Sequence, residues 1–405
     1  MKTAAIIAEY NPLHEGHAYQ IRKVKELSGA DHIIVLMSGD FVQRGIPACA
    51  DKYVRTGFAL DAGASMVVEL PAAVSTGSAG DFAAGAAAIL DGLGVVDELW
   101  FGSESGRIEE LERYAAVLAV ESDPFKAALR DALSSGQSYP VAQEEAVYAA
   151  LRSMKNEATR GEIHEVLSGS NNMLGIAYMT ALKKRGSKIV PRTLKREGSG
   201  YHGDPESVRG EFASAEWIRS RCEANQISGI RPYVPASVYD VLCDRDKCFA
   251  VSIDDFSDML FFKLASMNSD DLREYAGMTE DLANRIRKLY RRQHRITEFA
   301  EALKTRNLTR SRIDRVLLHI LLGIRDADTR AALQPEYVRI LGFRNAKELF
   351  SEIGRRTRIM LAAGAADVPG EWYGNEVFAA ELYEYMRSKK TNTEFCSEFN
   401  NMPIK

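Results

Sequence analysis

Apolar runs and amphipathic stretches alternate through the first half of the chain. Residues 3–8 (T-A-A-I-I-A), 32–37 (H-I-I-V-L-M) and 66–70 (M-V-V-E-L) are almost continuously apolar. Strands buried on both faces read this way. Residues 98–101 form a fourth run, ended by Gly102, and 188–194 is a fifth candidate. Helical periodicity fills the gaps: His17 to Leu27, a helix capped by Asp51 and running to about Ala62, a small-residue helix over 79–93, a helical tract over 107–155, and 171–184. Strands alternating with helices at this spacing predict an α/β fold with a doubly wound parallel sheet. After Pro205 the pattern is almost wholly helical, with start signals at Ser214, Pro235, Asp254, Thr279 and Thr309. Gly229 and Pro232 interrupt it, so the expected division is an α/β domain over 1–228 and a mostly α-helical region over 229–405.

Composition narrows the class only a little. The 405 residues are 46% apolar, 27% charged and 9% aromatic, which excludes a disordered or fibrous chain. A net charge of −4 excludes a uniformly basic nucleic-acid coat protein. The charge is uneven, however. Residues 285–315 hold eleven Lys or Arg against three acids, a local +8 that leaves −12 elsewhere. The five cysteines are odd in number and contain no C-x-x-C, so neither a disulfide framework nor a zinc site is expected, Cys243 and Cys248 included. The first apolar run stops at Glu9 and no run of about 18 apolar residues occurs, so a soluble cytoplasmic protein without a membrane span is expected.

The first candidate site is Asn11-Pro12-Leu13-His14-Glu15-Gly16-His17, between the first strand and its helix. Ligands of open α/β sheets bind outside the carboxyl ends of the strands. A helix N-terminus there offers amides and the positive dipole end to phosphate. Gly16 permits close approach, and two imidazoles can donate to phosphoryl oxygens as charge develops. The spacing His14-x-Gly16-His17 resembles the H-x-G-H signature of the nucleotidylyltransferase and class I aminoacyl-tRNA synthetase superfamily, which implies a nucleotidylyltransferase-like Rossmann variant.

Beyond this motif the chain resembles the bacterial tRNA(Met) cytidine acetate ligases. The matching stretches are A-E-Y-N-P-L-H-E-G-H (8–17), S-G-D-F-V-Q-R-G-I-P-A (38–48), V-V-E-L-P (67–71), L-W-F-G-S-E (99–104), S-N-N-M-L-G-I-A-Y (170–178), K-R-E-G-S-G-Y-H (195–202) and F-A-S-A-E-W-I-R (212–219). The resemblance is thinner through T-R-N-L-T-R-S-R-I-D-R (305–315) and Y-V-R-I-L-G-F (337–343). It implies activation of acetate with ATP to acetyl-adenylate and pyrophosphate, then transfer of the acetyl group to the wobble cytidine of elongator tRNA(Met). The chain departs from the usual K-R-I-G-A-G-Y-H, with Glu197 for an apolar residue and Ser199 for Ala.

The resemblance implies ATP binding by Ile7, Ala8, Glu9, Tyr10, Asn11, Pro12, Leu13, His14, Glu15, Gly16, His17, Ala18, Tyr19 and Gln20, with His14 and His17 as the catalytic pair. Gly102 is expected beside the adenosine. Asn171 and Asn172 suit ribose or adenine recognition, although helix capping alone explains one of them. Arg196 and Glu197 complete the expected ATP-binding set, and Arg196, in a glycine-rich turn, suits a bidentate phosphate contact. Asp40, Gln43 and Arg44 follow the second strand. Asp40 suits orientation of a histidine or a magnesium ion, Arg44 suits acetate or tRNA, and a purely structural loop explains them equally well. Tyr201 and His202 are placed near the cytidine. In the basic segment Arg291, Arg292, Arg306, Arg310, Arg312 and Arg315 are the candidates for the tRNA backbone.

Magnesium is expected to accompany ATP on general grounds, with no dedicated carboxylate cluster and no resident metal. No obligatory protein partner is indicated. A small-molecule adenylyltransferase would share the loop and fold, but the long basic helical region speaks against it. A non-catalytic nucleotide-sensing RNA-binding protein has no need of both His14 and His17. An acetyl-CoA-dependent acetyltransferase would carry a Q/R-x-x-G-x-G/A loop, and none is seen.

Overall fold

The computed structural model describes residues 1–196, 212–305, 308–368 and 374–405. Seven strands form its main sheet: β1 (Thr3–Ala8), β2 (His32–Ser38), β3 (Met66–Leu70), β4 (Glu98–Ser103), β5 (Val190–Lys195), β6 (Tyr337–Phe343) and β7 (Met360–Ala362). Their order is β5-β4-β1-β2-β3-β6-β7. All neighbours are parallel except β3 and β6, which are antiparallel. The chain leaves β1 toward β2 on one side and returns to β4 on the other. A crevice therefore opens between the carboxyl ends of β1 and β4, where the winding reverses.

Both faces of the sheet are covered, as the continuous apolar runs require. Ala5, Ile34, Leu36, Met66 and Val68 point into one core with α3 (Ala79–Leu93) and α4 (Ser170–Arg185). Ala4, Ile6, Ile33, Val35 and Val67 point into the other, with α1 (Glu15–Ser28), α2 (Lys52–Asp61) and α5 (Ala215–Glu223). This is the two-residue period of a strand with both sides buried. β5 is half-exposed and carries Pro191, in keeping with its place at the sheet edge. A third apolar cluster holds the C-terminal helices, among them α6 (Glu280–Leu289), α7 (Arg310–Leu322) and α8 (Gly374–Thr391).

The C-terminal region is largely helical but less completely so than its periodicity predicts. β6 and β7 return to the main sheet beside β3, so strands from both sides of residue 228 build it. In β6, Arg339 is only 2% exposed and donates to Glu398, with Tyr53 accepting from its other terminal nitrogen. A buried arginine is compatible with an inner strand only because that distant carboxylate reaches it. Ser214, Pro235, Thr279 and Thr309 stand at helix N-caps as expected, whereas Asp254 lies inside a short 3-10 turn before the helix Ser257–Ser266. All five cysteines are free thiols. No helix among the described residues is long and apolar enough to cross a membrane.

Candidate nucleotide and acyl-transfer site

A cleft of about 400 Å³ opens at the winding reversal. Its walls come from the end of β1, the first turns of α1, the turn at Gln43–Arg44, the end of β4, α4, and the segment Phe212–Arg219 leading into α5. Of the candidates, Ile7, Ala8, Glu9, Tyr10, Asn11, His14, Gly16, His17, Tyr19, Gln20, Gln43, Arg44, Gly102, Asn171 and Arg196 line it. Pro12, Leu13, Glu15 and Ala18 do not, and Leu13 and Ala18 are core residues that fix the loop and helix from behind.

His14 is the N-cap of α1, and the two histidines cap the helix reciprocally. Nδ1 of His14 accepts from the His17 amide at 3.3 Å, and Nδ1 of His17 accepts from the His14 amide at 3.4 Å. The rings stack at 3.6 Å between centroids, and Tyr10 stands edge-on to His17 at 5.1 Å. The spacing of the motif follows from this geometry. N-cap and third helical residue face each other, and a side chain at Gly16 would place its Cβ 3.0 Å from the His14 ring. Burial, then the charges of Arg196 and Arg219, push His14 down to about 3. Burial, then His14 and Arg196, hold His17 well below its ordinary value. Both rings are neutral at pH 7. Since each Nδ1 accepts from a backbone amide, the proton of each neutral ring sits on Nε2. The pair is thus a fixed set of donors that no longer needs to gain a proton.

The loop before α1 is pinned from outside. Glu9 accepts from the Gln43 amide at 2.9 Å through its side chain, and its carbonyl accepts from Arg55 Nη1 at 2.7 Å. Asn11 Oδ1 accepts from the Cys49 amide at 2.7 Å, and its carbonyl accepts from Arg219 Nη1 at 2.6 Å. Arg55 is fully buried and also donates to the carbonyls of Ala50, Ser38 and Gly39. It cross-links the carboxyl ends of β1 and β2.

On the opposite wall, Arg196 passes over Gly102. A Cβ at Gly102 would sit 3.3 Å from Arg196 Cγ, so glycine keeps this crossing open. Arg196 Nη1 donates to Asn171 Oδ1 at 3.0 Å. Asn172 takes a different part. Its Oδ1 accepts from the amides of Glu104 and Ser105, and its Nδ2 donates to the Val166 carbonyl, so it ties the β4 loop to α4 without lining the cleft. Glu104, from L-W-F-G-S-E, answers by accepting from the Asn171 side chain and from the amides of Asn171 and Asn172. Burial works to raise the Glu104 carboxyl, but these hydrogen bonds outweigh it and hold the group below its usual value.

Asp40 is not at the histidines. It is buried at the start of α2, where Oδ1 accepts from the Lys52 amide at 2.7 Å. Burial raises it to about 7 against the opposing charges of Lys52 and Arg55. Its place, away from the histidines and off the cleft wall, is that of a residue tying its loop to α2. Glu9 and Glu216 are the carboxylates on the cleft wall, and Glu216 is bonded to Arg44 at 3.2 Å. No trio of His, Cys, Asp or Glu gathers as a metal-ligand set among the described residues. The wall therefore does not fit a protein-built magnesium cage. Glu197, Tyr201, His202 and Arg306 lie outside the described residues.

The basic segment is partly structural. Arg285 and Arg287 donate to helix-end carbonyls at residues 302–303 and at 264 and 267. Arg310 is held between Asp314 at 2.8 Å and Glu301 at 3.3 Å. Arg291 and Arg292 are exposed, while Arg312 and Arg315 are half-buried on α7. Gly45 packs directly on the backbone of Asp314 and Arg315, which sets α7 against the hairpin that carries Gln43 and Arg44 into the cleft. Sequence reasoning missed Arg219, Glu104 and Arg55. The first two end quoted stretches, F-A-S-A-E-W-I-R and L-W-F-G-S-E, whereas nothing local marks Arg55.

Known proteins bear on this geometry. The HIGH Nucleotidyl Transferase family matches residues 1–397. A tRNA(Met) cytidine acetate ligase of Thermoanaerobacter sp. (strain X514) is 36% identical over 386 residues, covering 95% of this chain and 94% of that protein. The protein of the same name from Acetivibrio thermocellus is 35% identical over 377 residues, 91% of this chain and 89% of its own length. Among solved structures, Thermotoga maritima TmcAL bound with alpha-thio ATP superposes with a TM-score of 0.89 at 29% identity, covering 100% of this chain and 99% of that one. Its apo form gives 0.90 at 30% identity with the same coverage. With its H-x-G-H pair at the winding reversal and whole-length relatives of one kind, the chain belongs to the HIGH nucleotidyl transferases and, within them, to the tRNA(Met) cytidine acetate ligase family.

Proposed function

We propose that this chain ligates acetate to the wobble cytidine of elongator tRNA(Met), forming N4-acetylcytidine through acetyl-adenylate. An acetate oxygen attacks the α-phosphorus of ATP, the bond to the bridging oxygen of the β-phosphate breaks, and pyrophosphate leaves. The cytidine amine then attacks the acyl carbon, AMP leaves and the amine loses a proton. The observation that carries the reading is the stacked, reciprocally capped His14–His17 pair, whose Nδ1 atoms are both held by backbone amides at the switch point of the sheet, with Arg196 and Arg219 on the same cleft wall. Fixed donors of this kind stabilise charge that grows on phosphoryl oxygens without reorganisation. No covalent enzyme intermediate is required, and the mixed anhydride supplies an acyl group reactive enough for a conjugated amine.

In this reading Gly102, Asn171 and Arg196 face the nucleotide, and Asn172 and Glu104 hold that wall in shape. The 1–228 portion carries the chemistry and the helical part of 229–405 carries the tRNA, with exposed Arg291 and Arg292 the foremost phosphate contacts. The reading also places the protein in the cytoplasm, where ATP and tRNA meet. The test is incubation of the protein with ATP, labelled acetate and tRNA(Met), followed by nucleoside mass spectrometry. Label in acetylated cytidine that needs ATP upholds the reading, and its absence with intact protein refutes it.

A further inference from the structure

An acid that reacts with ATP in this cleft needs a seat of its own, and the charges on the cleft wall supply one. Arg196 and Arg219 both face the cleft, and their charges both act on His14. They approach from different directions. Arg196 comes over Gly102 at the end of β4 and is bonded to Asn171. Arg219 comes from α5 and reaches the Asn11 carbonyl at the end of β1. Among the described residues the Arg219 guanidinium makes that one hydrogen bond and has no carboxylate within ion-pair distance, although it is half-buried. Its neighbour Glu216 is bonded instead to Arg44. Glu9 and Glu216 act on its charge from farther off, and neither is in direct contact with it. A partly buried cation without a directly paired carboxylate favours an anion beside it. The Asn11 side chain adds a second unmet group. It is 3% exposed, and its Nδ2 has no partner among the described residues.

The order of the reaction decides which anion belongs there. Nucleotide, α-phosphate, acyl group and cytidine must follow one another along the cleft, because the amine attacks the acyl carbon while AMP departs. The nucleotide wall is the β4 and α4 side. The opposite side is formed by the Gln43–Arg44 hairpin and α5, and α7 of the basic segment packs against that hairpin. The acyl group therefore lies on the Arg219 side. The stretch of wall there, Ala213-Ser214-Ala215, carries only small side chains between Phe212 and Glu216. We propose that Arg219, with the Asn11 amide beside it, is the seat of a short carboxylate. The guanidinium neutralises the acid so that it can approach the triphosphate, and the small wall residues leave space for a methyl group. The inference rests on the ligase reading and names the acid subsite within it.

The experiment measures acetate-dependent exchange of labelled pyrophosphate into ATP, alongside binding of a non-hydrolysable ATP analogue, for the unmodified protein, Arg219→Lys and Arg219→Met. Loss of a charge-assisted pair predicts that Arg219→Met raises KM for acetate roughly 10- to 100-fold. Arg219→Lys restores part of that loss. Affinity for the ATP analogue stays within about threefold, a split that general disruption of the cleft does not produce. In the unmodified protein, acetate together with the ATP analogue should protect Arg219 from phenylglyoxal, read by peptide mass spectrometry, which needs no variant to fold. Normal acetate KM in both variants, or analogue affinity falling in parallel with acetate, overturns the subsite while the ligase reading stands. Absence of acetate-dependent exchange in the unmodified protein overturns the ligase reading and the subsite with it.

Discussion

Replacement of Arg55 by methionine tests whether the loop geometry depends on a residue outside the cleft. The guanidinium is fully buried and donates to four main-chain carbonyls: Ala50 at 2.9 Å, Glu9 at 2.7 Å, Ser38 at 3.1 Å, and Gly39. Methionine fills much of the volume but leaves those oxygens unsatisfied. Each buried orphan costs about 1–3 kcal/mol. Relief of the arginine's own desolvation offsets part of the sum, so a net loss of about 3–5 kcal/mol is expected, the range for removing one side of a buried charged contact. The Glu9 carbonyl is the one that bears on the proposed chemistry, because it sits one residue before Tyr10 and two before Asn11. A displacement of about 1 Å at a reacting group costs on the order of 100-fold in rate. Urea unfolding gives the first quantity, and acetate-dependent pyrophosphate exchange at saturating ATP gives the second, measured well below the unfolding transition. Arg55→Lys keeps the charge but not the fork, and should recover stability more than rate. A methionine variant within about 1 kcal/mol and threefold of the parent would refute the reasoning.

Other outcomes follow from the same geometry. His17→Ala removes one Nε2 donor and should lower exchange by roughly 100-fold or more with folding intact, as loss of an oxyanion-type donor does. A near-normal rate would exclude His17 from the mechanism. His14 is held near 3 and His17 well below its usual value, so the histidines are already neutral above pH 6. The kcat/KM profile for exchange should therefore show no histidine limb between pH 6 and 8, and a rise centred near 6.5 that vanishes in the histidine variants would contradict the tautomer assignment. Neutralising Arg291 and Arg292 should weaken tRNA binding and flatten its salt dependence by about one unit per lost phosphate contact. Arg310→Ala should change that slope less, since Asp314 and Glu301 already hold its charge. Filter binding across a salt series distinguishes the two, and equal slopes would relocate the RNA surface.

Local chemistry is enough to determine the first four strands, because a parallel strand buried on both faces needs an apolar run and a loop after it. It also marks the H-x-G-H loop, since a helix N-cap, a glycine that clears an imidazole and a third-position histidine all fall within four residues. The sequence alone leaves β6 unread, because Arg339 in its middle contradicts a buried strand until Glu398, 59 positions later, is brought to it. The same limit governs the site. Asn171 and Asn172 are alike as a pair of amides, and only the arrival of Glu104 and Arg196 assigns one to the frame and the other to the cleft. Asp40 and Arg44 stand four residues apart in one motif, yet the first is buried against the Lys52 amide and the second reaches the open wall. Long-range contacts decide such cases because burial and charge pairing are properties of neighbours in space, and tertiary structure is what chooses those neighbours.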